Sequence, residues 1–206
     1  LFHFPEDNTV WSIGSEYVGN AVLCKKSVGL RLASYQGRQE RWLAEHMAIL
    51  GVECPDGRTE YIAAAFPTGC GKTSLSMLIP PDVFAAKGYR IRMLGNDIAW
   101  LRIGSDGRLW AMSPEAGFVA GVTASTLRNN PQLVESTTED SMYSEVAGAS
   151  PSAASAHLAS PLRACPSCSP LTEHPCGVPI SAILFGSRRA NLAPLVCQAL
   201  DWNQGV

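Results

Sequence analysis

The stretch Phe66–Ser74, FPTGCGKTS, carries the residue types that hold a phosphate. Gly69 and Gly71 let the backbone turn with its N–H groups pointing inward. Those groups, with the N-terminus of a following helix, attract the β- and γ-phosphates of a nucleotide. Lys72 adds a full positive charge, and the hydroxyl of Thr73 suits a divalent cation. The pattern GxxxxGK[ST] is incomplete because Phe66 stands at its first glycine, so the reading rests on the GKT core and its context. That context fits: Tyr61–Ala65 reads as a buried strand and Leu75–Leu78 as the start of a helix. A chance GKT at a helix start is the competing reading.

Asp97, in GNDIAW at Gly95–Trp100, closes a strand-like run, Tyr89–Leu94. An acidic residue at the end of a strand beside a phosphate loop is where a metal-binding aspartate belongs. Taken alone, Lys25–Lys26 reads as a solvated surface pair, and Arg188–Arg189 as a surface salt-bridge feature. The lone His46, on an apolar face, reads as a satisfied core histidine. Cys165, Cys168, His174 and Cys176 form C-x2-C-x5-H-x-C, for which a structural zinc site is conceivable, but the loop between the pairs is short for one.

These residues need elements to position them. Leu30–Ile49 reads as a helix with Trp42, Leu43, His46, Met47 and Leu50 on one face, Gly37 splitting it and Gly51 capping it. Thr9–Ile13 and Thr59–Ala65 alternate as strands, and Val52–Arg58 is a polar turn. Pro80–Gly88 is a connection; Ile98–Ile103 and Arg108–Met112 form a hairpin around Ser105–Gly107. Asn129–Pro131 is a turn, Ser141–Val146 a weak strand and Val178–Gly186 a strand. Val146–Ser160, rich in Ala and Ser without periodicity, reads as a flexible loop.

With 206 residues, 46% hydrophobic and 17% charged, the chain has material for a real core. A net charge of -2 gives no case for nucleic acid or anionic membrane as partner. No apolar run is long enough to span a bilayer, and no signal peptide is visible. Seven cysteines, an odd count, fit reduced thiols in a cytosolic or matrix setting. The start at Leu1, within a strand-like stretch, suggests a fragment.

FPxxCGKT, with a proline just before the loop and a cysteine inside it, resembles the GTP-dependent phosphoenolpyruvate carboxykinases; the ATP-dependent branch has a cysteine-free loop. Further matches follow in the family's order. They are SEYVGN at Ser15–Asn20 for a YGGN loop, Lys25–Lys26, WLAEHM at Trp42–Met47 and GNDIAW for GDDIAW. Glu115, Gly117 and Phe118 match PENGFFGVAPGT, GSRRA at Gly186–Ala190 matches GGRRP, and Pro194–Val206 resembles PLVYEALSW–HGV. The resemblance implies a central part of such an enzyme, with an incomplete α/β, mixed-sheet carboxykinase-like fold and a P-loop at the edge of the sheet core. Its segments would be substrate and metal (1–58), nucleotide and metal (59–145), the Ala/Ser loop (146–160) and an arginine segment (161–206).

It also implies a gluconeogenic reaction: oxaloacetate is decarboxylated to an enolate, which takes the γ-phosphoryl of GTP to give phosphoenolpyruvate, CO2 and GDP. Lys26, His46 and Asp97 would hold Mn2+, and Thr73 the Mg2+ of GTP. Tyr17, Val18, Gly19, Thr68 and Arg163 would meet substrate. Gly69, Cys70, Gly71, Lys72, Thr73, Ser74, Arg163, Arg188 and Arg189 would meet the nucleotide. The implied catalytic residues are Lys25, Lys72, Arg189 and Cys70, the last with a reactive thiol. Departures from the family pattern are Glu16, Val18 and Ser187 for glycines, Asn96 for an aspartate, Pro161 for an asparagine and Ala190 for a proline. The Ala/Ser stretch replaces a longer, tryptophan-containing segment. A monomer in the cytoplasm, or alternatively the mitochondrial matrix, is expected, binding manganese without turnover on its own. The alternatives are a generic P-loop nucleotide-binding protein and a non-catalytic remnant of a carboxykinase.

Overall fold

A computed structural model of the chain describes residues 1–14, 25–67, 69–145, 156–187 and 195–205. Its first pair of strands, β1 (Phe2–Phe4) and β2 (Thr9–Trp11), is a small antiparallel ribbon. A π-helical segment, Ser27–Leu32, then runs into α1 (Ala33–Glu40). The helix stops at Arg41, which takes the left-handed conformation at φ 62°. Gly37 does not split it; it lies where the chain doubles back, and a Cβ there would sit 2.4 Å from the carbonyl oxygen of Trp42.

The second half of the expected Leu30–Ile49 helix is therefore strand: β3 (Leu43–Glu45) and β4 (Met47–Glu53). The residues favour helix locally, but β4 lies between β5 (Thr59–Ala65) and β6 (Arg90–Gly95). Met47–Gly51 are consequently all buried, and a strand covered on both faces reads as a continuous apolar run rather than an alternation. Tertiary pairing overrides propensity here. Gly51, expected as a helix cap, sits inside β4 opposite Tyr61.

β7 (Ala99–Ile103) and β8 (Leu109–Met112) form the expected hairpin, turned at Gly107 with φ 75°. With β12 (Val178–Phe185) they complete a seven-stranded mixed sheet of order β3-β7-β8-β12-β5-β4-β6. β12 and β5 run parallel, and the other neighbours antiparallel. Only His46 separates β3 from β4, although β3 stands at one end of the order and β4 next to the other end, which is β6. The sheet thus curves until its ends meet, at His46 on one chain segment and at Asn96–Ile98 on the other.

One face of β4 and β5, with Ile49 and Ala63, packs into a core with Leu94, Leu101 and Ile180. The opposite face, with Ala48, Leu50 and Ala64, receives Leu75 from α2 (Lys72–Ser76). Small alanines there let the helix approach closely, which fixes the phosphate loop against the sheet. After α3 (Asp82–Ala85), β9 (Gly117–Val122) leads to α4 (Ala124–Asn129) and α5 (Pro131–Glu135). Asn130, within the expected turn, caps α5 through Leu133 N–H. β10 (Met142–Glu145) matches the weak strand, and β11 (Ala156–Pro161) joins it to β9 in a three-stranded antiparallel sheet. The end of the expected Ala/Ser loop is therefore a strand, paired on both sides from Ala156 to Ala159. Positions 146–155 lie outside the described residues. Met77 and Met93 pack with Phe118, Leu133 and Leu158 to join the two sheets. A short helix, α6 (Trp202–Gly205), ends the described chain. No helix among the described residues is long and apolar enough to cross a membrane.

Candidate functional site

β5 and β12 end side by side, Ala65 beside Phe185, and Gly186 N–H donates to the carbonyl of Ala65 at 3.0 Å. Whatever follows two adjacent parallel strands leaves the sheet at the same end, the usual place for a ligand in α/β sheets. Here the phosphate loop follows one strand, and the segment leading to Arg188–Arg189 follows the other. Gly186 backs directly onto Phe66, since a Cβ there would lie 2.2 Å from the ring. A groove of about 530 Å3 opens at this end, with His46, Phe66, Pro67 and Ser187 in its wall.

The loop turns through a hydrogen bond from Cys70 N–H to the carbonyl of Pro67 (3.0 Å), and Gly69 (φ 75°) and Gly71 (φ 96°) are left-handed. Only glycine adopts such angles without strain. α2 begins at Lys72, earlier than the expected Leu75, and runs for only 5 residues. So short a helix lends N–H groups rather than a long macrodipole. Cys70 is half-buried, and Ser74 is exposed on α2.

Lys72 is 7% exposed and points into the junction where the sheet's ends meet. Its ammonium lies 2.6 Å from Oδ1 of Asp97 and also contacts Nε2 of His46, while that nitrogen is 2.7 Å from the same Asp97 oxygen. Burial pushes the Lys72 ammonium below its ordinary pKa, and Asp97 opposes this; the nearby Lys26 charge adds to the lowering. Burial by itself would raise the Asp97 carboxyl. Hydrogen bonds from His46 and Lys72, with the charges of Lys72 and Lys25, outweigh it and hold the group far below the usual carboxylate range.

Asn96, 1% exposed, lies beside this triad: its amide NH2 donates to Thr73 Oγ1 at 3.0 Å, and its Oδ1 accepts from Lys25 at 3.4 Å. Lys25 also pairs with Glu115, whose buried carboxylate sequence reasoning did not place in the site. The visible sign was an acidic residue set between Pro114 and the apolar run of β9.

The structure thus gathers Lys25, Lys72, Thr73, His46 and Asp97, with Lys26 near enough to act on Lys72. An imidazole nitrogen and a carboxylate oxygen already turned toward one cation, with lysine amines beside them, form a donor set that fits a first-row divalent ion. Tyr17, Val18, Gly19, Thr68, Arg188 and Arg189 lie outside the described residues. Arg163 is not brought to the cluster. It sits on a 3-10 turn (Leu162–Ala164) after β11, exposed, with its guanidinium on Glu173, and both line a separate groove of about 300 Å3. Cys165, Cys168, His174 and Cys176 do not converge either. Cys165 faces Gln132, Cys168 faces Thr172, and His174 Nδ1 accepts from Cys176 N–H. Among the described residues, no three His, Cys, Asp or Glu side chains gather as for a metal.

The family model for the phosphoenolpyruvate carboxykinase C-terminal P-loop domain matches residues 42–154 and 148–206, and that for the N-terminal domain matches residues 1–38. The boundary between them falls at the end of α1, within the segment 1–58 read from the sequence. Proteins named phosphoenolpyruvate carboxykinase [GTP] from Anaeromyxobacter sp. (strain K) and Chlamydia trachomatis are each 42% identical over the whole chain. One from Chlamydia pneumoniae is 40% identical. The chain spans about 40% of the length of these relatives. The first alignment runs over 238 positions against 206 residues, so the relative carries residues this chain lacks. The P-loop model breaks at 148–154, in the Ala/Ser stretch. With both family models matched in order and the loop, histidine and aspartate they bring converging at one sheet end, the chain belongs to the phosphoenolpyruvate carboxykinase family, GTP-dependent branch.

Proposed function

We propose that this chain carries the nucleotide loop and metal cradle of a GTP-dependent phosphoenolpyruvate carboxykinase, which converts oxaloacetate and GTP to phosphoenolpyruvate, GDP and CO2. The observation that carries the reading is the convergence of Lys72, His46 and Asp97 from three chain segments at the end of β5 and β12. A Mn2+ would be held by His46, Asp97 and Lys26, and a Mg2+ bound with GTP would reach the Thr73 hydroxyl. Such a cation stabilises the negative charge of an enolate.

The chain's own groups do the rest. Gly69–Thr73 offer backbone N–H groups to the β- and γ-phosphates. The Lys72 ammonium neutralises charge on the moving phosphoryl, and Arg189 would do so from the β12 side. Lys25, fixed between Asn96 and Glu115, presents a positive charge toward a carboxylate substrate. Cys70, half-buried between Gly69 and Gly71, is a proposed nucleotide contact and catalytic residue. Tyr17, Val18, Gly19 and Thr68 are proposed substrate contacts, and Ser74 and Arg188 nucleotide contacts. Arg163, held by Glu173, has no part in this reading.

Electron paramagnetic resonance of added Mn2+ tests it. The free-ion signal should fall with the wild-type chain, change again with oxaloacetate and with GTP, and stay free with Asp97→Ala. Nucleotide binding with Mn2+ left free and no response to oxaloacetate would favour a generic P-loop protein. Binding of neither would favour a non-catalytic remnant.

A further inference from the structure

The ladder between segments 43–53 and 90–103 is interrupted: Glu45 faces Ala99 on one side of the break and Ile49 faces Gly95 on the other, and the register then shifts by one between Ile49 and Leu50. Between these pairs, positions 46–48 and 96–98 do not pair with one another, and His46 and Asp97 lie in that gap. The N–H groups a continuous ladder would have used go elsewhere. Those of Asn96, Asp97 and Ile98 donate to a single oxygen, Oε2 of Glu115, at 3.0, 3.0 and 3.2 Å. The hydroxyl of Ser113 donates to it at 3.3 Å, and the other carboxylate oxygen faces the Lys25 ammonium.

The Glu115 side chain is 1% exposed. Burying a carboxylate is costly unless it is paired and hydrogen-bonded; here, among the described residues, Oε2 takes all the hydrogen bonds, and Oε1 depends on the Lys25 ion pair alone. An ionised acceptor holds the three N–H groups about twice as strongly as a neutral one would, and the Lys25 partner also calls for a charge. Gly95 makes room, because a Cβ there would lie 2.5 Å from Ser113 Oγ and 3.4 Å from Glu115 Oε2.

We propose that Glu115 is the positioning residue of this site. It takes the N–H groups of Asn96–Ile98 and so holds open the gap in which His46 and Asp97 face a common cation. Through Lys25 it ties the start of the π-helical segment, and hence Lys26, to the same point. Its metal-binding consequence rests on the reading under Proposed function; its effect on the backbone does not.

The test compares the 206-residue wild-type chain with Glu115→Gln, by Mn2+ titration under electron paramagnetic resonance and by amide hydrogen exchange. Glutamine keeps an acceptor and loses the charge. In a folded Glu115→Gln, the amides of Asn96–Ile98 should exchange about ten-fold faster while those of β4 and β5 stay protected. The Mn2+ Kd should rise about 10–100-fold, the size expected for an outer partner of a metal ligand. Unchanged exchange at Asn96–Ile98 overturns the proposal, as does faster exchange spread evenly over β4 and β5, which marks a general structural role. Local loosening with unchanged Mn2+ affinity overturns the link to the metal. If the wild type leaves Mn2+ free, the metal reading fails, and exchange alone decides the positioning claim. Should Glu115→Gln not fold, Ser113→Ala removes one bond to the same oxygen and should show the same local effect at smaller size.

Discussion

The cluster around Asp97 and the segment from Arg163 to Cys176 hold the same kinds of side chain, and the fold treats them oppositely. Each has a cation–carboxylate pair, a histidine and a nearby cysteine. Lys72 and Asp97 are 7% and 16% exposed, while Arg163 and Glu173 are 75% and 65% exposed. Water screens the second pair, and holding two long side chains in one geometry costs entropy, so this pair contributes little. The first pair has lost most of its water and depends on its partners. Topology makes the difference: one pair lies where a curved sheet closes and a phosphate loop leaves a parallel strand, and the other lies on a surface turn.

Removing one cation from each region should give the largest contrast. Lys72→Met keeps the volume and leaves Asp97 buried with His46 alone. Breaking a buried pair from one side costs roughly 3–5 kcal/mol, and the partial exposure of Asp97 places this case near the lower end. Arg163→Met should stay within about 0.5 kcal/mol of wild type. Urea unfolding of both variants measures this, and equal losses would break the comparison. Lys72→Met should also abolish nucleotide binding, with Arg163→Met leaving it intact.

The acid limb of stability sharpens the same contrast. The folded-state pKa of Asp97 lies below its unfolded value. Its contribution is therefore complete above the ordinary carboxylate pKa, about 3.9, and is lost as pH falls toward the folded value. Asp97→Asn removes that contribution at every pH. The stability gap between wild type and Asp97→Asn should be widest near neutrality and shrink below about pH 4. Glu173→Gln, at a largely exposed pair, should change stability little at neutral pH. A gap for Asp97→Asn that does not change with pH would show that its carboxylate is not held by Lys72 and His46.

Much of this contrast was legible in the residues. The strand–loop–helix around Gly71, the β7–β8 hairpin and Asp97 at a strand end all follow from local signals. His46 and Lys26 entered through family motifs, since nothing local separates a ligand from a core histidine or a surface lysine. The helix expected across Trp42–Ile49 failed because burial on both faces of β4 is a property of strands far away in sequence. Glu115 was visible as a motif residue after Pro114, but its role was not, because its partners, Lys25 and the backbone of Asn96–Ile98, are far away in sequence. Arg163 stands apart from the cluster, paired with Glu173 on the surface, and it follows the stretch at 148–154 where the two family matches overlap, so spacing carries little register there.

Asn96→Asp should have a smaller effect and of opposite sign for binding. The amide is satisfied as it stands, donating to Thr73 and accepting from Lys25. A carboxylate would strengthen the Lys25 contact and add negative charge near the Thr73 hydroxyl, while losing the donor to that hydroxyl. At an effective dielectric of ~20 the gross interaction with a cation is a few kcal/mol, leaving a net gain of about 1 kcal/mol after desolvation. Titration with Mg2+ and GTP should show several-fold tighter binding. Unchanged or weaker affinity would remove Asn96 from the metal side of the cluster.

The smallest effect separates the two regions through their thiols. Cys176 and Cys197 are exposed and should label quickly whatever else is present. Burial raises the Cys168 thiol pKa and lowers its thiolate fraction, so it should label slowly. Cys70 is half-buried in the loop between the two left-handed glycines, where a bound phosphate would cover it. Speed is therefore not the test; sensitivity to nucleotide is. At a concentration equal to its Kd, GTP with a divalent cation occupies half the sites and should slow Cys70 labelling about two-fold, rising with concentration. The rates of Cys168, Cys176 and Cys197 should not move, and Lys72→Met should abolish the protection. Mass spectrometry of the modified peptides gives each rate separately. Protection shared by Cys168 would mean that nucleotide closes the whole molecule and not the loop. No protection at Cys70 would mean that the glycine loop, though correctly shaped, does not hold a phosphate.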